Sequence, residues 1–363
     1  MKIVKYVLPI MLACVGGTSY AFPSNTRFGY TNCTSCHISP TGGGVLTSYG
    51  HNSSEEFLSS SSKPFESEAT FGALHDYGSI FDDYIRFSAD IRYISVRAAD
   101  KDTPLQGDNF WMQREGEVAV NLTKELVIVG SVGYYALGGN QYQVQTRRDY
   151  ALVNINQNVS LRVGKFFPAY GIMIEDHTIS TRSGLGWDQG QESYNAELAL
   201  KNSIGEIFLT SIVAGTTPPN SYAFTATKSG AALRMAGYVG SGSQIGVSGL
   251  YYQLVTPGGG YQAYFGAFGI LGFSRSLYLL SETDGVVSNQ AGVQQQIKLL
   301  SYNMLGYEVT KGVQLQLAYQ LTNKEGEYDF KLQWFPRPHY EIAAMYGQTN
   351  TSINLSLLLH YYL

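Results

Sequence analysis

The chain has 363 residues and a formal charge of −4, and only 14% of its residues are Asp, Glu, Lys or Arg, against about 25% in soluble domains. The acidic balance argues against a nucleic-acid partner, and the lack of any mature apolar run of about 18 residues excludes helical membrane spans. Its 40 glycines and 28 tyrosines fit a membrane β-barrel, which carries aromatic girdles and needs no apolar helix.

Residues 1–21 read as a secretory signal. Lys2 and Lys5 give a basic start, 7–15 an apolar stretch, and Ser19-Tyr20-Ala21 a small-residue cleavage site. Cys14 lies inside this segment and leaves with it.

Residues 22–83 form a second region. Cys33-Thr34-Ser35-Cys36-His37 is a C-x-x-C-H string, which in an exported chain is the attachment site of a c-type haem. The thiols add to the haem vinyl groups and the histidine becomes the proximal iron ligand. A redox dithiol would need a βαβ context, and a zinc site more Cys or His at ligand spacing. With Cys14 gone, the two motif cysteines are the last in the chain, so no thiol remains for a disulfide. The expected cofactor is one covalently bound c-type haem. No methionine occurs from residue 13 through 111, so a local sixth ligand is histidine. His51 is the first candidate and His75 the second, with an open or barrel-derived position as the remaining option. Gly42-Gly43-Gly44 allows either close backbone approach to the haem or a simple turn. Ser59 to Ser62 reads as a linker.

From residue 84 onward the period is two. Ile85, Phe87, Ala89, Ile91 and Tyr93 alternate with Arg86, Ser88, Asp90 and Arg92; Leu315, Leu317 and Tyr319 alternate with Gln314, Gln316 and Gln320. Each set puts an apolar row on one face and a polar row on the other. Export and composition put lipid outside and water inside.

Turn signals divide 84–363 into about sixteen strands, edges being good to a few residues: 84–98, 109–121, 125–138, 144–156, 158–167, 191–202, 205–215, 229–240, 243–254, 260–270, 273–283, 292–308, 312–322, 327–335, 339–348 and 352–363. Tight and longer connections alternate. Outer-membrane barrels have short periplasmic turns and longer outer loops, so both termini are expected in the periplasm of a bacterial outer membrane. The fold class predicted is an all-β antiparallel outer-membrane barrel with an N-terminal haem-bearing plug, surrounded by outer-membrane lipid.

The longest outer connection, 168–190, holds Glu175, Asp176, His177 and Arg182. It is the third outer loop, and the resemblance to sixteen-stranded porins, in many of which the third loop folds inward and constricts the channel, implies the same here. Carboxylate beside imidazole also suits Fe(II) or Mn(II), although three consecutive residues converge poorly on one ion. Arg86, Asp90 and Arg92 are expected on the lumen wall, where charge would dock the plug.

The whole arrangement resembles the fused cytochrome–porin family of outer-membrane proteins, with one C-x-x-C-H near the mature N-terminus and a single barrel behind it. Cys33, Cys36 and His37 carry that resemblance at residue level. Asn32-Cys33-Thr34-Ser35-Cys36-His37 with Pro40-Thr41-Gly42-Gly43-Gly44, Gly164-Lys165-Phe166 and Asp176-His177-Thr178 is similar to single-haem outer-membrane proteins outside the iron-oxidising branch. The resemblance implies electron transfer across or at the outer membrane. Its partners would be a periplasmic c-type cytochrome and an extracellular electron donor or acceptor such as iron. Two other readings stay open: a diffusion porin whose haem segment gates or senses, and an electron-transfer or peroxidase-type enzyme at an open iron.

Overall fold

A computed structural model of the chain describes residues 23–29, 32–62, 79–80, 84–100, 103–138, 141–174, 176, 178–187, 191–214, 228–255, 259–290 and 293–363. The expected leader and His75 lie outside the described residues, as do Glu175 and His177.

Sixteen antiparallel staves close into one barrel. In chain order they are β1 (Ile85–Asp100), β2 (Gln106–Asn121), β3 (Leu126–Gly138), β4 (Gln141–Gln145 and Asp149–Asn156), β5 (Val159–Phe166), β6 (Ser193–Lys201), β7 (Gly205–Ala214) and β8 (Lys228–Val239). They continue as β9 (Ser243–Leu254), β10 (Gly260–Gly272), β11 (Leu277–Gln290), β12 (Val293–Thr310), β13 (Val313–Thr322), β14 (Glu325–Trp334), β15 (Tyr340–Thr349) and β16 (Ser352–Tyr362). Closure comes from β16 against β1, running from Ser352 opposite Asp100 to Tyr362 opposite Asp90. A two-residue strand, Ser79–Ile80, pairs with the start of β1.

Period two sets the faces as expected. On β8, Leu233 and Met235 point out while Arg234 between them is buried inside. On β13, Leu317 and Tyr319 are exposed while Gln314 and Gln320 are buried. All connections on the rim that holds the start of β1 and the end of β16 are of five residues or fewer; we call this the terminal rim. The long connections lie on the opposite rim.

Two strand predictions need correction. The expected break at 284–291 is absent, and β11 runs on to Gln290. Asp284-Gly285 reads as a turn, but Asp284 points inward and accepts a hydrogen bond from Tyr170 Oη at 2.9 Å. A Cβ at Gly285 would lie 2.3 Å from the tip of the exposed Phe265 ring, so the glycine leaves room for that ring on the outer face. The fourth strand, expected to be continuous, is interrupted at 146–148. There the backbone N–H groups of Arg147 and Arg148 both donate to Ser131 Oγ at 2.9 Å. The step re-aims two arginines into the lumen, as irregular strand pairing does.

A water-filled polar lumen was expected; much of it is packed solid. Residues 23–62 form a plug against the wall near the terminal rim. It contains 3₁₀ turns at Pro23–Phe28 and Cys33–Ser35, then helix α1 (Ser48–Ser53), which runs into a wider π turn (Ser54–Leu58). Val45 of the plug shares a buried apolar cluster with Ala119, Val127, Tyr150 and Phe166. The 167–192 connection folds inward as expected. Its Tyr170, Leu185 and Trp187 pack on Leu250, Tyr252 and Leu300, and its Ile172 and Ile179 on Phe268, Leu280 and Met304. Alternation specifies which face a residue occupies, not whether water or another segment covers it.

Candidate functional site

The C-x-x-C-H motif lies inside the barrel. Asn32 accepts from Thr34 N at 2.9 Å and caps the turn. His37 N and Cys36 N both donate to Cys33 O, at 3.0 and 3.2 Å. One turn therefore brings Cys33, Cys36 and His37 close in space, as i, i+3 and i+4 positions require, but only Cys33 and His37 border the main lumen cavity. The chain then doubles back: Ile38 N donates to Val45 O at 3.0 Å, His37 and Leu46 form a β-bridge, and Thr47 N donates to Cys36 O at 2.9 Å. The reversal uses Gly42, Gly43 and Gly44 in succession, with φ of 82°, 72° and 65°, values that residues with a Cβ rarely adopt. A Cβ on Gly42 would sit 3.5 Å from Cys33 Sγ and 4.0 Å from His37 Cδ2. The glycine run is thus both a turn and a close approach to the motif.

Cys33, His37, Gly42 and Leu46 open onto a lumen cavity of about 1020 Å³, at the upper end of small-molecule sites, roughly 300–1,000 Å³. Its wall near the plug is rich in apolar groups, among them Leu58, Leu280, Met304, Phe335 and Leu358. The cavity reaches from Leu363 at the terminal rim to Asn354 near the opposite rim. Neither Cys33 nor Cys36 forms a disulfide. Cys33 faces the cavity, and burial, followed by the Glu206 charge, pushes its thiol up to about 11. Cys36 is only 2% exposed, and α1 packs against its backbone at Gly50. A c-type haem fits this set in donor chemistry, in room beside His37 and in the glycine cradle; Cys33 and Cys36 would supply the thioethers and His37 the proximal nitrogen.

His51 is buried in α1, but it does not border this cavity. Its Nδ1 lies 3.4 Å from His339 Nε2, and the two rings meet edge to face with centroids 5.3 Å apart. Asp176 borders the cavity and accepts from Thr178 N and Oγ1 in a local turn. Arg182 does not line an open pore. It is buried against Glu282 at 3.3 Å and donates to Tyr170 O at 3.4 Å, pinning the inward loop to β11. Among the described residues no group of three or more His, Cys, Asp or Glu could hold a metal ion.

On β1 the expected charges divide. Arg86 Nη2 donates to Ser48 Oγ of the plug at 3.1 Å. Asp90 and Arg92 pair with each other at 2.8 Å instead of docking the plug. They join a cluster that sequence reasoning missed: His360 lies 3.2 Å from Asp90 and 2.9 Å from Glu341, and Lys331 lies 3.2 Å from Glu341. Each of these residues sits on an inward row, but the registers of β14, β15, β16 and β1 bring them together.

Other plug anchors also went unread. Arg162 Nη1 donates to Ser39 Oγ at 2.9 Å and Nη2 to Thr41 Oγ1 at 3.3 Å. Lys201 Nζ donates to Asn32 Oδ1 at 3.3 Å and Pro40 O at 3.2 Å. Val45 N donates to Glu117 Oε1 at 3.3 Å. Near the terminal rim, the buried Arg27 pairs with Glu308 at 2.6 Å. Burial outweighs that partner and lowers the pKa of Arg27.

The barrel architecture is that of outer-membrane porins. The chain is similar to a loop-deletion mutant of OmpT from Vibrio cholerae, at 12% identity and a TM-score of 0.55, covering 77% of this chain and 99% of that one. It is equally similar to OmpF of Salmonella typhi, solved as a complex with daunomycin, at 10% identity and a TM-score of 0.55, covering 78% and 99%. OprB of Pseudomonas putida matches at 8% identity and 0.53, covering 85% and 99%. No protein-family model and no curated protein matches the sequence. At these identities the likeness establishes the fold: a sixteen-stranded, porin-type outer-membrane barrel, which sits in membrane lipid.

Proposed function

We propose that this chain is an outer-membrane cytochrome–porin fusion, in which a barrel holds one covalent c-type haem on its N-terminal plug and carries electrons across or at the membrane. The observation that carries this reading is the C-x-x-C-H loop inside the lumen, with Cys33 and His37 on a cavity of about 1020 Å³. When bound, the haem supplies a one-electron iron couple. The chain supplies position. His37 presents an imidazole from the end of a capped turn, Gly42 leaves space beside Cys33, and Arg162 and Lys201 hold the loop to the wall. Apolar groups around the cavity favour a porphyrin over bulk water.

In this reading the terminal rim faces the periplasm, which matches its short turns. A soluble periplasmic c-type cytochrome meets the plug from that side. The cavity, reaching toward the opposite rim, gives an external donor or acceptor its approach.

A visible spectrum with a redox titration of the protein in detergent tests the proposal. A reversible c-type spectrum and a haem mass increment that survives denaturation are expected, both lost in the double variant Cys33→Ala/Cys36→Ala. Wild-type protein matured in a haem-competent periplasm without that increment refutes it. The likeness to plain porins favours one alternative, a diffusion channel. Conductance separates the two, because a diffusion channel passes steady ionic current whether or not haem is attached.

A further inference from the structure

A cation stands on the outer wall of the barrel, where alternation against lipid calls for an apolar side chain. On β2, Gln113 and Glu115 point inward and are buried, so Arg114 between them points out. Its partners across the ladder are Ile91 on β1 and Tyr134 on β3, and Tyr134 is half exposed on the outer face. Toward the terminal rim the outward row continues with exposed apolar groups, Val118 on β2 and Ile128 and Val132 on β3. Arginine against acyl chains is costly, by an amount that falls toward the interfaces.

Three rings surround the guanidinium. Its central carbon lies 4.9 Å from the ring centroid of Tyr142, 5.5 Å from that of Tyr134 and 5.9 Å from that of Trp111. A bulge brings Trp111 there. The register between β1 and β2 shifts at Arg92 and Tyr93, which sets Trp111 opposite Tyr93 and on the face of Arg114. Among the described residues Arg114 Nε has no hydrogen-bond partner, although it is out of contact with solvent. The inward arginines differ: Arg147, Arg148, Arg162, Arg182 and Arg234 each meet a glutamate. Aromatic faces attract a cation, but the planar guanidinium fork is suited to an oxyanion that accepts two hydrogen bonds at once.

Depth selects the oxyanion. Arg114 is seven residues from Asn121, the end of β2 on the terminal rim. At about 3.3 Å per residue and a tilt near 40°, that is about 18 Å up an apolar band about 25 Å tall. The long arginine stem covers the remainder by snorkelling. Tyr93, Trp111, Tyr134 and Tyr142 then belong to the aromatic girdle at the interface remote from the terminal rim, the level of charged lipid headgroups.

We propose that Arg114 and its three rings form a binding site for the phosphate of a membrane lipid in the leaflet remote from the terminal rim. The guanidinium donates to two phosphate oxygens, the rings keep water from that contact, and the acyl chains lie along Val118 and Val132. The site belongs to the barrel and needs no cofactor.

Native mass spectrometry of the full-length protein, released from a neutral detergent, tests this with two lipids that differ only in the phosphate: phosphatidic acid and the diacylglycerol with the same chains. Wild type should retain one phosphatidic acid and no diacylglycerol. Arg114→Gln should weaken that retention about 10- to 100-fold, the worth of a hydrogen bond to a charged group. Arg97→Gln is the control. Arg97 is also on the outward row of β1, but its Nη1 is shared among Val96 O, Asp108 O and Asn109 Oδ1, and its variant should bind like wild type. Heat-modifiable migration verifies that both variants close. Wild type that retains both lipids alike, or neither, overturns the site without any variant. So does Arg114→Gln that binds like wild type, or Arg97→Gln that loses as much as Arg114→Gln. Inorganic phosphate in place of lipid should add no retained mass; binding as tight as that of phosphatidic acid would make this a site for an ion and overturn the lipid assignment.

Discussion

Replacing Arg162 by methionine tests whether the plug loop is latched to the wall by an arginine that a buried carboxylate of the next strand holds in place. Arg162 is 1% exposed, and its Nη2 lies 2.7 Å from Glu197 Oε1, a carboxylate equally buried. The same guanidinium donates to Ser39 and Thr41 of the plug and lies 3.7 Å over the Phe166 ring. Methionine keeps much of the apolar stem and removes the charge. Glu197 then keeps only Thr210 Oγ1 at 2.9 Å and Ala169 N at 3.2 Å as donors. Breaking one side of a buried pair costs about 3–5 kcal/mol, and the two remaining donors place this case near the lower end. The plug loses two hydrogen bonds worth about 0.5–1.5 kcal/mol each. A destabilisation of about 4 kcal/mol is therefore expected from Arg162→Met. In Arg162→Met/Glu197→Met no charge is stranded, and the cost falls to about 1–2 kcal/mol. Urea unfolding in detergent micelles, followed by tryptophan fluorescence, measures both. A single variant within about 0.5 kcal/mol of wild type, or a double variant as unstable as the single, refutes the latch.

Gly171→Val places a Cβ 1.8 Å from Glu282 Oε1 at a φ of 56°, so the inward loop should lose its seat and single-channel conductance should rise; unchanged conductance means that the loop does not constrict the pore. Leu357 faces outward in the middle of β16 at 47% exposure, and Leu357→Arg should cost about 2–4 kcal/mol by folding into lipid vesicles; a neutral result would mean that this face does not contact acyl chains. His51→Ala removes the contact with His339 but no group bordering the cavity, so it should lower stability and leave the haem spectrum unchanged; a shift from low to high spin would make His51 the sixth ligand.

The strands were legible because lipid imposes a strict rule on every outward residue. Leu317, Leu355 and Leu357 alternate with Gln316, Asn354 and Ser356 whatever lies inside. The inward fold of the long loop was legible from its place as the third outer loop, through the resemblance to sixteen-stranded porins. The interior was harder to read, because inward residues answer to partners chosen by closure. Asp284 looks like a turn residue until Tyr170 arrives opposite it. Arg147 and Arg148 look like part of a strand, yet a break in β4 sends them to Glu192 and Glu117. The C-x-x-C-H string was visible because its spacing is itself the signal. It could not show that His51 would face His339, which lies in a turn 288 residues away.

The way the plug is held bears on what could pass through this barrel. A plug that gates must leave, and leaving has a calculable cost. It would break the Arg27–Glu308 pair, at little net cost because water then solvates both charges. It would also break hydrogen bonds to Glu117, Arg162, Lys201, Phe335 and His339, each worth about 0.5–1.5 kcal/mol net. Val45 would leave its apolar cluster, at about 1.5–3 kcal/mol for a fully buried side chain of that kind. The total, about 4–10 kcal/mol, is of the order of the roughly 5.5 kcal/mol of differential binding that takes a two-state switch from almost shut to almost open. No single effector contact supplies that. Solute traffic by plug removal is therefore disfavoured by the same contacts that keep Cys33 and His37 fixed relative to the wall. The electron transfer proposed above would require no such movement, only a fixed site and an approach to it such as the cavity beside the plug.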